Sequence, residues 1–401
     1  MSDFFRYRHQ PVKTLYLIYA VLSLFVRIPY WTLRNLHPAW RPRRSWSISR
    51  VLLVNLYRFF GYAAMNTSVS GTHIDPKILE QEEGGKFGLV WIEPNPDLII
   101  GEIKETAELN GVLPIKTPGF WHGQRGSDGR LGQRAGPDEK VIFEIHGSGW
   151  IMQSAGPKTF SAYFLNQMFK QCKGYTSAFL VEYRKAAGPP HPPKNPFPAA
   201  LIDEIMGYNY LVNIVGFRPE NILVTGGSSG GNLALMLARY LTTYRFESLP
   251  PPGALLLISP TMDWGRTHLG PNSSMVRNAR SDMVAAVMRG YSTAAILGSL
   301  PAREAWENSW ISPGSALLPD VKGRFANLPP LLIISGEAEM TLDGMRAVRD
   351  RVIADNGADM VTYIEFPDAT HYTLANEWHT PESTEGYGLI AEWLEGLNAS
   401  K

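Results

Sequence analysis

The segment NILVTGGSSGGNLA, residues 221–234, constrains this chain more than any other. A β-forming run over 221–225 enters a glycine-rich turn around Ser228 and Ser229, and a helical pattern begins at once from Gly230. Gly226 and Gly230 flank Ser228 at two residues on either side, so G-x-S-x-G lies between a strand and a helix. A turn of this kind forces strained backbone on the serine and lifts its hydroxyl above the strand ends. The helix N-terminus behind it favours negative charge developing nearby. No register supplies G-x-G-x-x-G, and neither a Walker A sequence nor H-E-x-x-H occurs.

The rest of the chain repeats the same alternation. Short apolar runs at 88–92, 140–145, 177–183, 221–225, 254–259, 330–335 and 361–366 are predicted strands. Their Val, Ile and Leu content is nearly continuous, as strands covered on both faces require. Helices are predicted over 199–215, 230–244, 343–356 and 384–397. The expectation is an α/β fold: a mostly parallel central sheet with helices on both faces, plus a helical cap. Two stretches break the rhythm. GPPHPPKNPFP, residues 188–198, holds six prolines and must be extended. Residues 261–328 separate two strands by more than a usual connection, and 281–297 are predicted helical. A catalytic domain over 61–401, with a cap insertion around 262–328, follows from this division. An apolar content of 44% can fill such a core. Cys172 is the sole cysteine, so no intrachain disulfide or cysteine-based zinc cluster can form. A net charge of +1 supplies no bulk field for nucleic acid.

The candidate chemistry gathers at predicted strand ends. The strand VIFEI runs into His146-Gly147-Ser148-Gly149-Trp150. A loop of small residues there can turn the N–H groups of Gly147 and Ser148 toward a shared point. With the N–H of Ser229 they would hold an oxyanion. His146 itself is expected only to brace the loop. A base should follow the last strand, where His371 stands in the turn after 361–366; His379 and His191 are less well placed. An acid should follow the preceding strand, and Glu337, Glu339 and Asp343 compete there. Serine, then acid, then histidine is an order used by nucleophile-elbow enzymes.

Taken together, HGSGW, GGSSGGNLA, the late acid and the late histidine resemble the hormone-sensitive-lipase-like branch of the α/β-hydrolases. Residues 183–200 are similar to that family's Y-R-x-A-P-E-x-x-F-P-A-A run, and Ser259–Asp263 to its S-P-x-x-D segment, which makes Asp263 structural. The resemblance covers roughly residues 85–395. It implies a serine carboxylesterase or deacetylase with an N-terminal cap and no cofactor or metal. Its substrate would be an apolar small-molecule ester, including sterol-like or fungal secondary metabolites. Ser228 would be the nucleophile, His371 the base and Glu339 the acid, with Gly147, Ser148 and Ser229 as the oxyanion hole. Glu339 stands where the family usually has Asp, four residues before Asp343. Ser148 replaces a glycine, where a Cβ is expected to require negative φ. Gly227 replaces the common Asp. An acyltransferase could use the same triad, and receptor-like members of the fold bind small molecules without catalysis. The latter lose the histidine that this chain keeps.

The even charge balance hides a split. Residues 1–60 carry ten basic residues against Asp3 alone, a local +9, so 61–401 hold −8. Within them LYLIYAVLSLFV, residues 15–26, is almost wholly apolar; extended to Leu33, it just reaches the ~20 residues of a membrane span. Residues 14–33 are therefore either a membrane anchor or a cap helix. The anchor reading places the enzyme on a membrane, by expectation the endoplasmic reticulum, and the lid reading leaves it cytoplasmic.

Overall fold

The computed structural model describes residues 4–68, 88–124, 134–157, 159–319, 321–375 and 377–399. Eight strands form one sheet: β1 Leu89–Ile92, β2 Thr117–Gly123, β3 Lys140–Ile145, β4 Tyr175–Val181, β5 Ile222–Gly227, β6 Ala254–Ile258, β7 Leu331–Gly336 and β8 Val361–Phe366. Their order is β1-β2-β4-β3-β5-β6-β7-β8. From β4 to β8 the pairs are parallel, whereas β1–β2 and β2–β4 are antiparallel.

Alternation along the strands feeds two apolar layers. Val141, Phe143, Ile145, Val224, Leu255, Leu257 and Ile333 join one cluster, and Ile142, Leu223, Leu256, Ile258 and Ile334 the other. Eight helices matter below: α1 Val12–Arg34, α2 Ile48–Thr67, α3 Gly101–Leu109, α4 Phe160–Gln171, α5 Ala199–Asn209, α6 Ser229–Tyr244, α7 Leu342–Asn356 and α8 Glu382–Ala399. α5, α6 and α7 cover the first face, through residues such as Ile205, Leu237 and Val348. α4 and α8 cover the second, through Phe164, Met168, Ile390 and Leu394. Each such side chain contributes about 1.5–3 kcal/mol on burial.

Several expectations need correction. The strand expected at 177–183 runs Tyr175–Val181. β2 and the helices α3 and α4 were not anticipated. The helix expected over 199–215 is α-helical only to Asn209, then widens into a π-turn, Tyr210–Val215, closed by Gly216 at φ 93. The helix expected over 281–297 is broken. Met283–Arg289 is a 3-10 stretch, Gly290 takes φ 104, and Tyr291–Leu297 restarts as α-helix.

The first sixty residues divide in two. From Arg43 onward they are latched to the loops after β7 and β8. Arg43 donates to Asn278 Oδ1 and the Glu337 carbonyl, Trp46 Nε1 to the Asp368 carbonyl at 2.7 Å, and Arg50 pairs bidentately with Glu382 at 2.6 and 2.8 Å. Ser47 caps α2 by accepting from Arg50 N. α2 packs on Met283–Arg289, where Gly61 leaves room for Ala286: a Cβ at 61 would lie 3.3 Å from its methyl. α1 has Ala20 as its one buried residue among those described. Its 23 residues are long and apolar enough to cross a membrane, with 6% of the most apolar window buried.

Candidate active site

Ser228 follows β5 and precedes α6, with φ 56 and ψ −123, a left-handed conformation that costs of order 1–3 kcal/mol. The two glycines of the motif are dictated by space. A Cβ on Gly230 would sit 2.0 Å from the Ile145 carbonyl oxygen, and one on Gly226 would sit 2.4 Å from the Gly230 oxygen. The elbow is thus pressed against the end of β3, whose following loop it must face. Ser228 Oγ lies 3.4 Å from Thr261 Oγ1.

Ser228 follows β5, Glu339 β7 and His371 β8, so parallel strand ends, with β6 between the first two, bring serine, acid and base to one edge. His371 Nδ1 is 2.8 Å from Glu339 Oε2. Glu339 Oε1 accepts from Ser259 Oγ at 2.7 Å and Gly336 N at 2.6 Å, which holds the carboxylate in place against the ring it serves. Burial alone would lower the pKa of His371; the hydrogen bond and charge of Glu339, with Asp282 beyond, outweigh it and raise the pKa above the usual imidazole value. With Nδ1 held by the carboxylate, Nε2 is the free nitrogen. It is buried and makes no hydrogen bond among the described residues.

The competing acids have other work. Asp343 Oδ2 accepts from Ser274 N at 2.7 Å and ties the cap to the first turn of α7. Glu337 Oε2 accepts from Asp368 N at 3.4 Å. Asp263 accepts from the N and Oγ1 of Thr267, a local turn bond. His146 is buried and stacked on Tyr183 at 4.1 Å, and burial depresses its pKa to about 4, so it stays neutral.

Behind the elbow, Gly147, Ser148 and Gly149 form the facing loop. Gly149 N donates to Ser229 Oγ at 2.8 Å and Trp150 Nε1 to the Ser229 carbonyl at 2.9 Å. Tyr183 Oη donates to the His146 and Gly147 carbonyls. The N–H groups of Gly147, Ser148 and Ser229 make no hydrogen bond among the described residues. The expectation of negative φ at Ser148 is wrong: it takes φ 74, followed by Gly149 at 68 and Trp150 at 62. Bonds from both sides of the loop outweigh a strain of about 1–2 kcal/mol there.

Two contributors had no strong sequence signal. Tyr57 of α2 reaches the cleft wall. Asp282, at the start of the 3-10 stretch in the cap, brings a carboxylate oxygen within 4.8 Å of the Glu339 and His371 ligand atoms. Its Oδ2 accepts from Met340 N at 2.5 Å and its Oδ1 from Val284 N at 3.1 Å. Burial raises its pKa to about 6; His371 works against that rise and Glu339 adds to it. Asp282 caps the 3-10 stretch, and its approach to His371 depends on how the cap folds back. These three residues are the one group among those described that could hold a metal. Backbone N–H groups and hydroxyls already occupy their oxygens, which suits a hydrogen-bonded acid–base pair better than a cation cradle.

The cleft above Ser228 encloses about 880 Å3 out to its open mouth. Met152, Phe160, Met283, Val284, Val287 and Met288 dominate its wall, and among the described residues His371 is the one ionisable side chain lining it besides Tyr57 and Tyr372.

A family model described as alpha/beta hydrolase fold matches residues 142–375. An acetyl-hydrolase of Streptomyces hygroscopicus is 26% identical over 254 residues, 63% of this chain and 73% of its own length. An esterase of Acinetobacter venetianus is 25% identical over 267 residues, 65% of this chain and 76% of its own. A solved esterase from the bacterial hormone-sensitive lipase family aligns with TM-score 0.57 at 23% identity, covering 88% of this chain and 99% of that one. At that identity the likeness speaks to the fold.

Proposed function

Because the chain belongs to the alpha/beta hydrolase fold family, we propose that it is a serine carboxylesterase acting on uncharged, apolar small-molecule esters. The observation that carries this reading is the buried Glu339–His371 pair, 2.8 Å apart, opening with Ser228 onto an apolar cleft. Relatives named acetyl-hydrolase and esterase support ester hydrolysis and favour a short acyl group.

In this mechanism Ser228 Oγ turns from Thr261 toward His371 Nε2, gives up its proton there and attacks the ester carbonyl. Glu339 fixes the imidazole tautomer and stabilises the imidazolium. The oxyanion gathers in the N–H groups of Gly147, Ser148 and Ser229, which need no reorganisation because their loop is already tied to Ser229. The imidazolium protonates the leaving alcohol, and water resolves the acyl-enzyme by the reverse sequence. The cleft wall has no Arg, Lys, Asp or Glu among the described residues, so a charged substrate would be desolvated without a partner. A short ester of a bulky apolar alcohol, of sterol-like or secondary-metabolite type, fits that wall.

A series of p-nitrophenyl esters from acetate upward, with steryl acetate and an anionic hemisuccinate ester, tests this. Expected are turnover of the neutral esters, rejection of the anionic one and a loss of ~10²–10⁴ in kcat with Glu339→Gln. Full activity in Glu339→Gln, or preference for the anionic ester, would contradict the assignment.

A further inference from the structure

α1 is amphipathic the wrong way round for a water-soluble domain. Its polar stripe faces the protein. Lys13 Nζ donates to Ser68 Oγ at 2.8 Å, Asn66 Nδ2 to Tyr16 Oη at 3.0 Å, and the Arg27 guanidinium lies over the Phe59 ring at 5.5 Å. Its outer face carries Leu15, Ile18, Leu22, Phe25, Val26 and Leu33, of which Phe25 and Val26 are 78% and 73% exposed. A helix that holds Lys13, Tyr16 and Arg27 against its neighbour and turns this much apolar surface outward is built for an apolar surrounding.

A second feature adjoins its C-terminal end. Tyr30, Trp31, Arg34 and Asn35 meet Asn55 and Arg58 of α2 and Arg280 of the cap around a hollow of about 600 Å3. Three arginines line it, and no acid does among the described residues. Asn35 Oδ1 is buried there with no donor among the described residues, an acceptor for a headgroup amine or hydroxyl. Exposed Tyr30 and Trp40 flank the hollow, with the amphipathic rings that settle at a lipid headgroup layer.

We propose that α1 lies flat in one leaflet of a membrane and that the Arg34–Arg58–Arg280 hollow receives the phosphate of an anionic phospholipid. The orientation follows from packing. Residues 13, 16 and 27 of α1 meet Ser68 just past the end of α2 and residues 66 and 59 within it, so the two helices run antiparallel side by side. α2 is itself fixed to the catalytic domain from its N-terminal end, through Trp46 and Arg50. α1 cannot stand across a bilayer without carrying α2 away. Lying flat, it sinks its outer face about 5–10 Å among the acyl chains. Arginines at the headgroup level then meet anionic lipid charge, the complement of the local +9.

Cosedimentation of the full chain with phosphatidylcholine vesicles, with and without phosphatidylserine, tests the proposal. The wild type is expected to bind both, and the mixed vesicles more tightly. Phe25→Glu/Val26→Glu, on the exposed face where folding is spared, should abolish binding to both. Arg34→Gln/Arg280→Gln should keep binding to phosphatidylcholine and lose about fivefold per charge of the phosphatidylserine increment. Inorganic phosphate at millimolar level should leave the increment in place, since the hollow works jointly with the lipid-embedded face. Alkaline carbonate should strip the protein from membranes. Four results would overturn it: no wild-type sedimentation, an unchanged increment in the arginine variant, retention in carbonate, or a wild-type dimer that Phe25→Glu/Val26→Glu dissociates.

Discussion

Gly227 illustrates how single residues at this site answer to their neighbours. A Cβ there would lie 2.4 Å from the ring of Tyr372, so the aromatic residue next to His371 fills the place where relatives of the resembled family carry Asp. Asp282 is the more consequential neighbour. It adds a second carboxylate to the Glu339–His371 pair from the cap side and helps to hold the imidazole pKa up. The base works only when neutral, so kcat/KM should fall on the acid side of the His371 pKa, above the ordinary imidazole range. Asp282→Asn removes a charge that favours the imidazolium, and the acid limb should therefore move to lower pH. Since Asp282 itself titrates near 6, the wild-type limb should be broader than a single ionisation. A pH–rate profile unchanged in limb and breadth would make Asp282 a mere tie between cap and Met340. Ser228 and the pair of facing loops were legible because strained turns need glycine at fixed spacing, and His371 because it stands in the turn after the last predicted strand. Asp282 was not, because nothing local encodes contact across the cap.

Among the elements, those with continuous apolar runs were legible, and those carrying turn residues or interrupted patterns were not. β2, TPGFWHG, contains proline and two glycines, and only its pairing with β1 and β4 makes it a strand. Residues 281–297 carry a helical pattern that Gly290 interrupts at φ 104. β3 holds a further oddity, Glu144, fully buried with Oε1 bonded by Ser161 and Oε2 bare among the described residues. Burial lifts its pKa to about 8. Between the ordinary carboxylate range and that value, the folded chain keeps a proton that the unfolded chain has shed, so stability must fall as pH rises through this window. Glu144→Gln should flatten that fall. Urea unfolding at pH 5.5, 7 and 8.5 would read it as a gain for the variant that grows with pH, and a pH-independent difference would contradict it.

At the scale of the whole molecule, the first sixty residues fall into two halves with different contacts. The half from Arg43 holds Trp46 in a small core with Val51, Val54 and Ala338, and it brings Tyr57 to the cleft. The half before it sets Phe5, fully buried, into the main core against His191 and Tyr291, and lays α1 along α2. Removing residues up to 36 should cost about 3–5 kcal/mol through the lost Phe5 packing but leave turnover of soluble esters within a few-fold of wild type, since Tyr57 and the cap stay in place. Removing residues up to 67 should in addition expose Ala338 and the 3-10 stretch of the cap, costing a few kcal/mol more and most of the activity. Thermal unfolding and ester turnover of the two truncations would separate these roles, and equal behaviour would contradict the division. The apolar pattern of α1 was legible. Which way its polar stripe faced was not, because that depends on where α2 docks.

The central claim is that Ser228 is the nucleophile activated by the Glu339–His371 pair. Intact-mass measurement after treatment with a fluorophosphonate tests it most directly. One adduct per chain is expected, mapped to Ser228 and absent in Ser228→Ala, with Glu339→Gln labelled far more slowly. An adduct that persists in Ser228→Ala, or maps to Ser229 or Ser148, would contradict the claim.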